Sequence, residues 1–166
     1  MKKFLSRTYS HRILLSGTLF FALALRLVAI SARPLWYDEA FAVLFAQKGL
    51  LSMLEGTLTS AQGSAADVHP LAYYTLLSVW MRFLGQSPLA VRSFSVLSGM
   101  GILVVAYVGM QERFGDELGL VALLFLALSP FQIHYAQEAR MYALMTLSLM
   151  GAAYALWQGM TTRRWG

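Results

Sequence analysis

Long stretches without a charged side chain are the feature that most constrains this chain. Residues 93–111, 118–137 and 141–162 contain no Asp, Glu, Lys or Arg, and residues 13–32 contain only Arg26. A helix of about 20 residues is what crosses about 30 Å of hydrocarbon. Of all residues, 58% are hydrophobic and 13% are charged, whereas soluble domains carry about 25% charged residues. The pattern predicts an all-α integral membrane protein.

Four membrane crossings are predicted, at residues 13–32, 93–111, 118–137 and 141–162, with a tight turn at 112–117. The segment before the first crossing is basic and has no acidic residue, which places the amino terminus in the cytoplasm. A cleaved secretory signal with an apolar core at 13–25 is the alternative, but the later apolar spans favour a retained helix. Arg26 lies within reach of the headgroups or of a polar bundle interior.

The polar segment 33–92 is predicted to form an outer loop that carries two interfacial helices. Residues 38–54 place apolar side chains on one side of a helix, a pattern typical of helices that lie along a membrane. Residues 57–67 indicate a loop, and residues 71–85 are too short to cross, so they form a second interfacial or re-entrant helix. If 71–85 did cross, the chain would have five crossings, and the count of basic residues on each side does not decide between the two.

The absence of cysteine excludes two kinds of site, and the net charge of +5 indicates a kind of binding partner. Without cysteine the chain has no disulfide and no thiolate metal ligand. A basic chain could bind nucleic acid, but the basic residues of this chain do not form a continuous surface for it. The charge therefore indicates contact with the anionic headgroups of membrane lipids.

Three polar groups could carry chemistry at the ends of the predicted spans. Asp38 and Glu39 could cap a helix, with Asp38 as N-cap, or could supply a general base and its neighbour. His69 could be an interfacial histidine, a phosphate contact or a ligand of a divalent metal ion. Glu138 and Arg140 could be a snorkelling pair, although charges at a membrane boundary are candidates for function and Arg is well shaped to bind phosphate.

Four segments together resemble the amino-terminal part of the GT-C glycosyltransferases, and bacterial members of glycosyltransferase family 39 in particular. That family is related to the protein O-mannosyltransferases and the lipid A aminoarabinose transferases. The resemblance runs from about Leu14 to Trp165. It is carried by LWYDEA at 35–40, HPLAYY at 69–74, PLAVRS at 88–93 and SPFQIHYAQEARMY at 129–142.

The resemblance implies that a sugar is transferred from a polyprenyl phosphate to an acceptor hydroxyl on the outer face of the bacterial inner (plasma) membrane. It implies that Asp38 is the catalytic base, with Glu39 holding the loop or the aspartate. It further implies that the donor, and above all its phosphate, is bound by residues of the later segments, namely His69, Tyr73, Glu138 and Arg140. The family's His-Pro-Pro pattern lacks its second proline at 69–71, and a divalent metal, with His69 as a ligand, is an open possibility.

Members of that family have several hundred residues and about a dozen spans, so residues 1–166 are expected to be the amino-terminal part of a larger transmembrane domain. Alone, they are expected to be inactive. The acceptor, whether lipid, glycan or protein, is not indicated. A small transporter or lipid-binding membrane protein is the alternative function, although transporters show inverted repeats and none is visible here. A structural membrane subunit is a third.

Overall fold

The computed structural model describes the backbone of residues 2–58 and 71–162, with side chains from residues 10–55 and 71–162. All regular structure in these ranges is helical, as predicted. The helices are α1 (Lys2–Leu27), α2 (Tyr37–Gln47), α3 (Leu50–Leu58), α4 (Leu71–Leu84), α5 (Pro88–Phe114), α6 (Asp116–Leu128), α7 (Pro130–Ala136) and α8 (Tyr142–Thr162).

Helix α5 is the centre of the described fold and packs against α1, α4, α6, α7 and α8. Its start is defined by Ser87, whose hydroxyl accepts a hydrogen bond from the amide of Ala90, with a proline in the first turn. Gly99 allows α7 to approach closely, because a Cβ there would lie 2.8 Å from the Cβ of Ala136. This contact brings the segment after α7 against the amino-terminal half of α5.

Among the described residues, two helices are long and apolar enough to cross a membrane, namely α5 and the Ser10–Leu27 part of α1. The pair α6 and α7 would be a third span if it were counted as one. The fourth predicted span forms α8, which has 21 residues, but α8 is not among the helices that meet both criteria. Together these apolar helices make the chain a membrane protein, while four crossings remain a prediction.

The helices found at the first two predicted spans have other ends than those spans. Helix α1 ends at Leu27 rather than at residue 32, and tight turns with Ala29 at φ 56° follow it. Helix α5 begins at Pro88 rather than at residue 93. The prediction took Arg92 as the boundary of an uncharged stretch, but this arginine is buried within the helix because acidic and carbonyl groups surround it.

The predicted span 118–137 is not one straight helix, since α6 and α7 meet at an angle of 63°. Pro130 has no amide hydrogen, so the carbonyl of Leu126 loses its helical donor. Arg26, fully buried on α1, replaces that donor: its Nη2 donates to Leu126 O at 3.3 Å and its Nη1 to Ala127 O at 3.4 Å. Of the two predictions for Arg26, the polar bundle interior is confirmed.

In its described part, the segment 33–92 contains more helices than the two that the sequence predicts. The predicted helix 38–54 is divided into α2 and α3 at Gly49, whose φ of 84° suits glycine and ends a right-handed helix. The second predicted helix, 71–85, is confirmed as α4. The predicted loop 57–67 lies outside the described residues from position 59 onward.

Candidate functional site

Glu39, in the first turn of α2, is fully buried and uses both carboxylate oxygens. Its Oε1 accepts hydrogen bonds from Arg92 Nε at 2.9 Å and from the amide of Ala139 at 2.8 Å. Its Oε2 accepts from Arg92 Nη2 at 2.6 Å and from the amide of Trp36 at 3.3 Å. One carboxylate thus ties α2 to α5 and to the segment after α7. With its acceptor positions occupied, Glu39 is placed to hold the loop rather than to receive a substrate proton.

Arg92 was not among the predicted site residues, and its guanidinium organises the turn before α2. Besides the two bonds to Glu39, its Nη1 donates to the carbonyls of Ile30 at 2.6 Å and Arg33 at 3.0 Å. Its Nη2 also donates to the carbonyl of Pro34 at 3.1 Å. A signal was present in the sequence, because an arginine within an apolar segment can face the bundle interior and pair with a carboxylate or with backbone carbonyls.

The expectation that Asp38 caps α2 is wrong. The N-cap is Trp36, and the side chain that reaches back to its amide is Glu39, in the manner of a capping box. Asp38 is therefore the second residue of α2, and its carboxylate does not cap the helix. Its side chain is 35% exposed.

Arg140 lies opposite Asp38, although 102 positions separate them in the chain. Its Nη2 is 3.5 Å from Asp38 Oδ2, and its Nη1 is 3.5 Å from the Asp38 carbonyl oxygen. Its guanidinium carbon is 5.7 Å from the ring centroid of Tyr142. The arrangement places a partly exposed carboxylate and a mostly buried guanidinium side by side.

Gln137 fixes the segment that carries Arg140. Its Nε2 donates to the carbonyls of Leu25, Arg26 and Val28 at 3.0–3.2 Å, which are the carbonyls that the end of α1 leaves without helical donors. The amide of Ala139, two residues further on, is held by Glu39. The backbone of Arg140 is thereby tied to α1 and α2, so its position relative to Asp38 is set by buried contacts.

Hydrogen bonding controls the charge states at this site. Burial alone would raise the pKa of Glu39, but the hydrogen bonds from Arg92, Ala139 and Trp36 outweigh burial and lower it. Burial alone would lower the pKa of Arg140, but its hydrogen bond with Tyr142 and the charge of Asp38 raise it. Both side chains are therefore ionised at neutral pH.

Comparison with known families adds a finding that the geometry alone does not give. A sequence profile of the dolichyl-phosphate-mannose-protein mannosyltransferases matches residues 68–166, more than half of the chain. The chain belongs to this family. No curated protein and no solved structure matches it. As a member of the mannosyltransferase family, the chain is of glycosyltransferase type and sits in a membrane.

The mannosyltransferase match covers only part of the predicted site. His69, Arg92 and Arg140 lie within the matched residues, while Asp38 and Glu39 precede them. Their link to the family match is structural, because Glu39 bonds to Arg92 and Asp38 lies beside Arg140. The assignment of family 39 and the finer family relationships remain predictions.

The remaining predicted site residues lie in different surroundings. Glu138 is largely buried, with its Oε1 3.2 Å from Nε2 of the exposed His134. Tyr73 is in the core, where its ring packs against Tyr74 and Phe94 and burial raises the pKa of its hydroxyl. His69 lies outside the described residues. Within the described ranges, no group of three His, Asp or Glu side chains could hold a metal ion.

Proposed function

We propose that the chain forms the amino-terminal part of a transferase that moves a sugar from a polyprenyl phosphate to an acceptor hydroxyl. The observation that carries the proposal is the 3.5 Å approach of Asp38 and Arg140. Transfer from a lipid phosphate needs a base for the acceptor and a cation for the departing phosphate. These two groups supply both functions within one site, and the family match supports a sugar as the transferred group.

In the proposed reaction, the donor phosphate takes the place of Asp38 as the partner of Arg140. The acceptor hydroxyl oxygen attacks C1 of the sugar while the Asp38 carboxylate takes its proton. The bond between C1 and the phosphate oxygen breaks, and its electron pair stays on the oxygen. Polyprenyl phosphate leaves with this charge stabilised by Arg140, whose planar guanidinium can donate two parallel hydrogen bonds. The result is inversion at C1.

Glu39 and Arg92 act as positioning residues in this scheme. Arg92 holds Glu39, and Glu39 holds both the start of α2 and the amide of Ala139. Asp38 directly precedes Glu39 in the chain, and Arg140 directly follows Ala139. A displacement of about 1 Å can cost about 10²-fold in rate, so this buried connection sets the distance on which the reaction depends.

We further propose four crossings, with the amino terminus in the cytoplasm and the site on the outer face of a bacterial inner membrane. Helix α4, at 14 residues, spans about 21 Å and is too short to cross. Since the chain has no cysteine, single cysteines at Ser52 and Glu117 give a clean test. An impermeant thiol reagent should label Ser52→Cys but not Glu117→Cys in intact cells. Labelling of Glu117→Cys from outside would contradict four crossings.

The reaction itself is tested with the full protein in membranes and a radiolabelled polyprenyl-phosphate sugar. We expect label to move to an acceptor fraction and polyprenyl phosphate to be released. Arg140→Gln should lower this transfer by about 10²–10³-fold, the cost of losing a donor that stabilises a developing oxyanion. Arg33→Gln, at an exposed arginine of the turn before α2, is the matched control and should leave the transfer unchanged. Transfer from a sugar nucleotide but not from the lipid phosphate would contradict the proposal.

A further inference from the structure

A groove of about 470 Å³ lies between α5, α6 and α8, along the carboxy-terminal half of α5. Helix α5 packs against both other helices and forms the floor of the groove. The side chains that line it are mainly apolar, and they include Val105, Gly109, Arg113, Phe125, Ala153 and Trp157. The volume is within the roughly 300–1,000 Å³ typical of ligand sites, and no residue of the candidate site lines the groove.

The groove has a cation at one end and is apolar along the rest of its length. Of the described residues that line it, only Arg113 carries a charge, and Arg113 lies in the last turn of α5. From Val105 to Arg113 the floor extends about 12 Å at the rise of a helix. This length is less than half of the roughly 30 Å of hydrocarbon in a bilayer, so the groove lies within one leaflet. In the proposed topology, this end of α5 faces the cytoplasm.

The guanidinium of Arg113 contacts aromatic rings rather than a carboxylate. Its central carbon is 5.5 Å from the ring centroid of Phe114 and 5.9 Å from that of Trp157. No ion pair of Arg113 occurs among the described residues. The neighbouring Glu112 instead accepts hydrogen bonds from the hydroxyl of Tyr154 at 3.0 Å and from Nε2 of Gln158 at 2.5 Å. A guanidinium that rests on aromatic faces keeps its N–H groups available for a phosphate.

We propose that this groove binds an anionic phospholipid of the cytoplasmic leaflet. The lipid phosphate bonds to Arg113, and one acyl chain lies along Gly109 between α6 and α8. This lipid is a structural ligand of the bundle, it differs from the sugar donor, and it takes part in no step of the proposed reaction.

Charge complementarity and length favour this occupant. Basic pockets between membrane helices on the cytoplasmic side are typical sites of anionic headgroups. The sequence adds two further basic residues, Arg163 and Arg164, directly after the last residue of α8. A groove that serves another membrane-crossing helix would have to extend through the whole hydrocarbon layer, whereas an acyl chain of one leaflet needs about half of that length. The groove, with its single cation at the headgroup end, suits the acyl chain.

The test measures lipid binding by the full protein in nanodiscs of phosphatidylethanolamine, a zwitterionic lipid. A trace of phosphatidylglycerol, which is anionic, carries a photoreactive group on its acyl chain. Irradiation should attach this probe to the peptides that contain Phe125 and Ala153, and the same probe built on phosphatidylethanolamine should label them about fivefold less. Arg113→Gln should remove this fivefold preference, which is the effect of about one basic residue on an anionic headgroup. Ala153→Phe should lower the labelling by at least as much, because the added ring occupies the groove while Arg113 is unchanged.

Arg12→Gln and Ala152→Phe are the matched controls. Arg12 is an exposed arginine of α1, Ala152 is an exposed neighbour of Ala153 on α8, and neither lines the groove. Both variants should be labelled as the wild type is. If Ala153→Phe does not fold, Arg113→Gln and the comparison of the two probes still decide the result.

Three outcomes would overturn the proposal. Equal labelling of the wild type by the two probes would show that ordinary bilayer lipid fills the groove without selection for charge. Labelling of other peptides but not of those with Phe125 and Ala153 would show that protein covers the groove in the full chain. Displacement of the probe by polyprenyl phosphate but not by unlabelled phosphatidylglycerol would assign the groove to the sugar donor instead.

Discussion

Glu39 on α2 and Arg92 on α5 form a buried ion pair, with Arg92 Nη2 2.6 Å from Glu39 Oε2 and both side chains excluded from solvent. The remaining carboxylate and guanidinium positions bond to backbone groups of the loop and of the segment after α7. Such a pair stabilises the fold only while all its members are present. Its main consequence here is geometric, because Asp38 adjoins Glu39 itself and Arg140 adjoins Ala139, whose amide Glu39 holds.

Removing both members of this pair should destabilise the protein by less than the sum of the two single losses. Arg92→Met leaves the buried Glu39 carboxylate without its cation, and Glu39→Leu leaves the buried Arg92 guanidinium without its anion. Each should cost about 3–5 kcal/mol of unfolding free energy, whereas the double variant should cost less than the sum.

Thermal unfolding of the full protein in detergent measures these costs. Arg82→Met, at an exposed arginine on α4, is the matched control and should change the midpoint little. Additive losses in the double variant would show that the pair is not coupled.

Acid should weaken the same connection. Because the pKa of Glu39 is lowered in the folded protein from 4.5, its contribution is complete above about pH 4.5 and is lost as the pH falls towards the lowered value. The difference in unfolding temperature between the wild type and Glu39→Gln should therefore narrow below about pH 4.5. Glu55→Gln, at an exposed glutamate, should show no such change. A difference in unfolding temperature between the wild type and Glu39→Gln that stays constant from pH 7 to pH 3 would contradict the lowered pKa of Glu39.

Arg26 should stabilise the protein through its hydrogen bonds to the bend between α6 and α7. Arg26→Leu removes the donors to the carbonyls of Leu126 and Ala127, and an unsatisfied buried carbonyl costs about 1–3 kcal/mol. The unfolding temperature should fall clearly, while Arg12→Leu, at an exposed arginine of the same helix, should have little effect. Equal unfolding temperatures for the two variants would show that other donors satisfy these carbonyls.

The sequence predicts the helical class and most of the long helices, because apolar runs of sufficient length have few alternatives in a membrane. It places helix ends less well, and each error has a local cause. Arg92 was taken as a boundary because its partner, Glu39, is 53 positions away. The expected single helices at 38–54 and 118–137 are broken at Gly49 and Pro130, residues whose effect depends on what surrounds them.

The pairing of Asp38 with Arg140 could not be derived from periodicity or composition. It depends on two contacts of α5. Arg92 bonds to the turn before α2, and Gly99 lies against Ala136 at the end of α7. Four predicted crossings put the two residues on the same side of the membrane, and the resemblance to a known family suggested that they share a site. The structure was also needed to reject Asp38 as the cap, since an Asp-Glu pair fits either Asp as the N-cap or Glu at the third helical position of a capping box.

The most direct test of the account is the rate of sugar transfer by Asp38→Asn in the full protein. Asparagine keeps the size of the side chain but cannot take the acceptor's proton, so transfer from a polyprenyl-phosphate sugar should fall by about 10²–10⁴-fold. Asp116→Asn, at an aspartate in the first turn of α6, is the matched control and should keep the wild-type rate. If well-folded Asp38→Asn retains more than about a third of the wild-type rate, a loss far smaller than that of a general base, Asp38 is not the base.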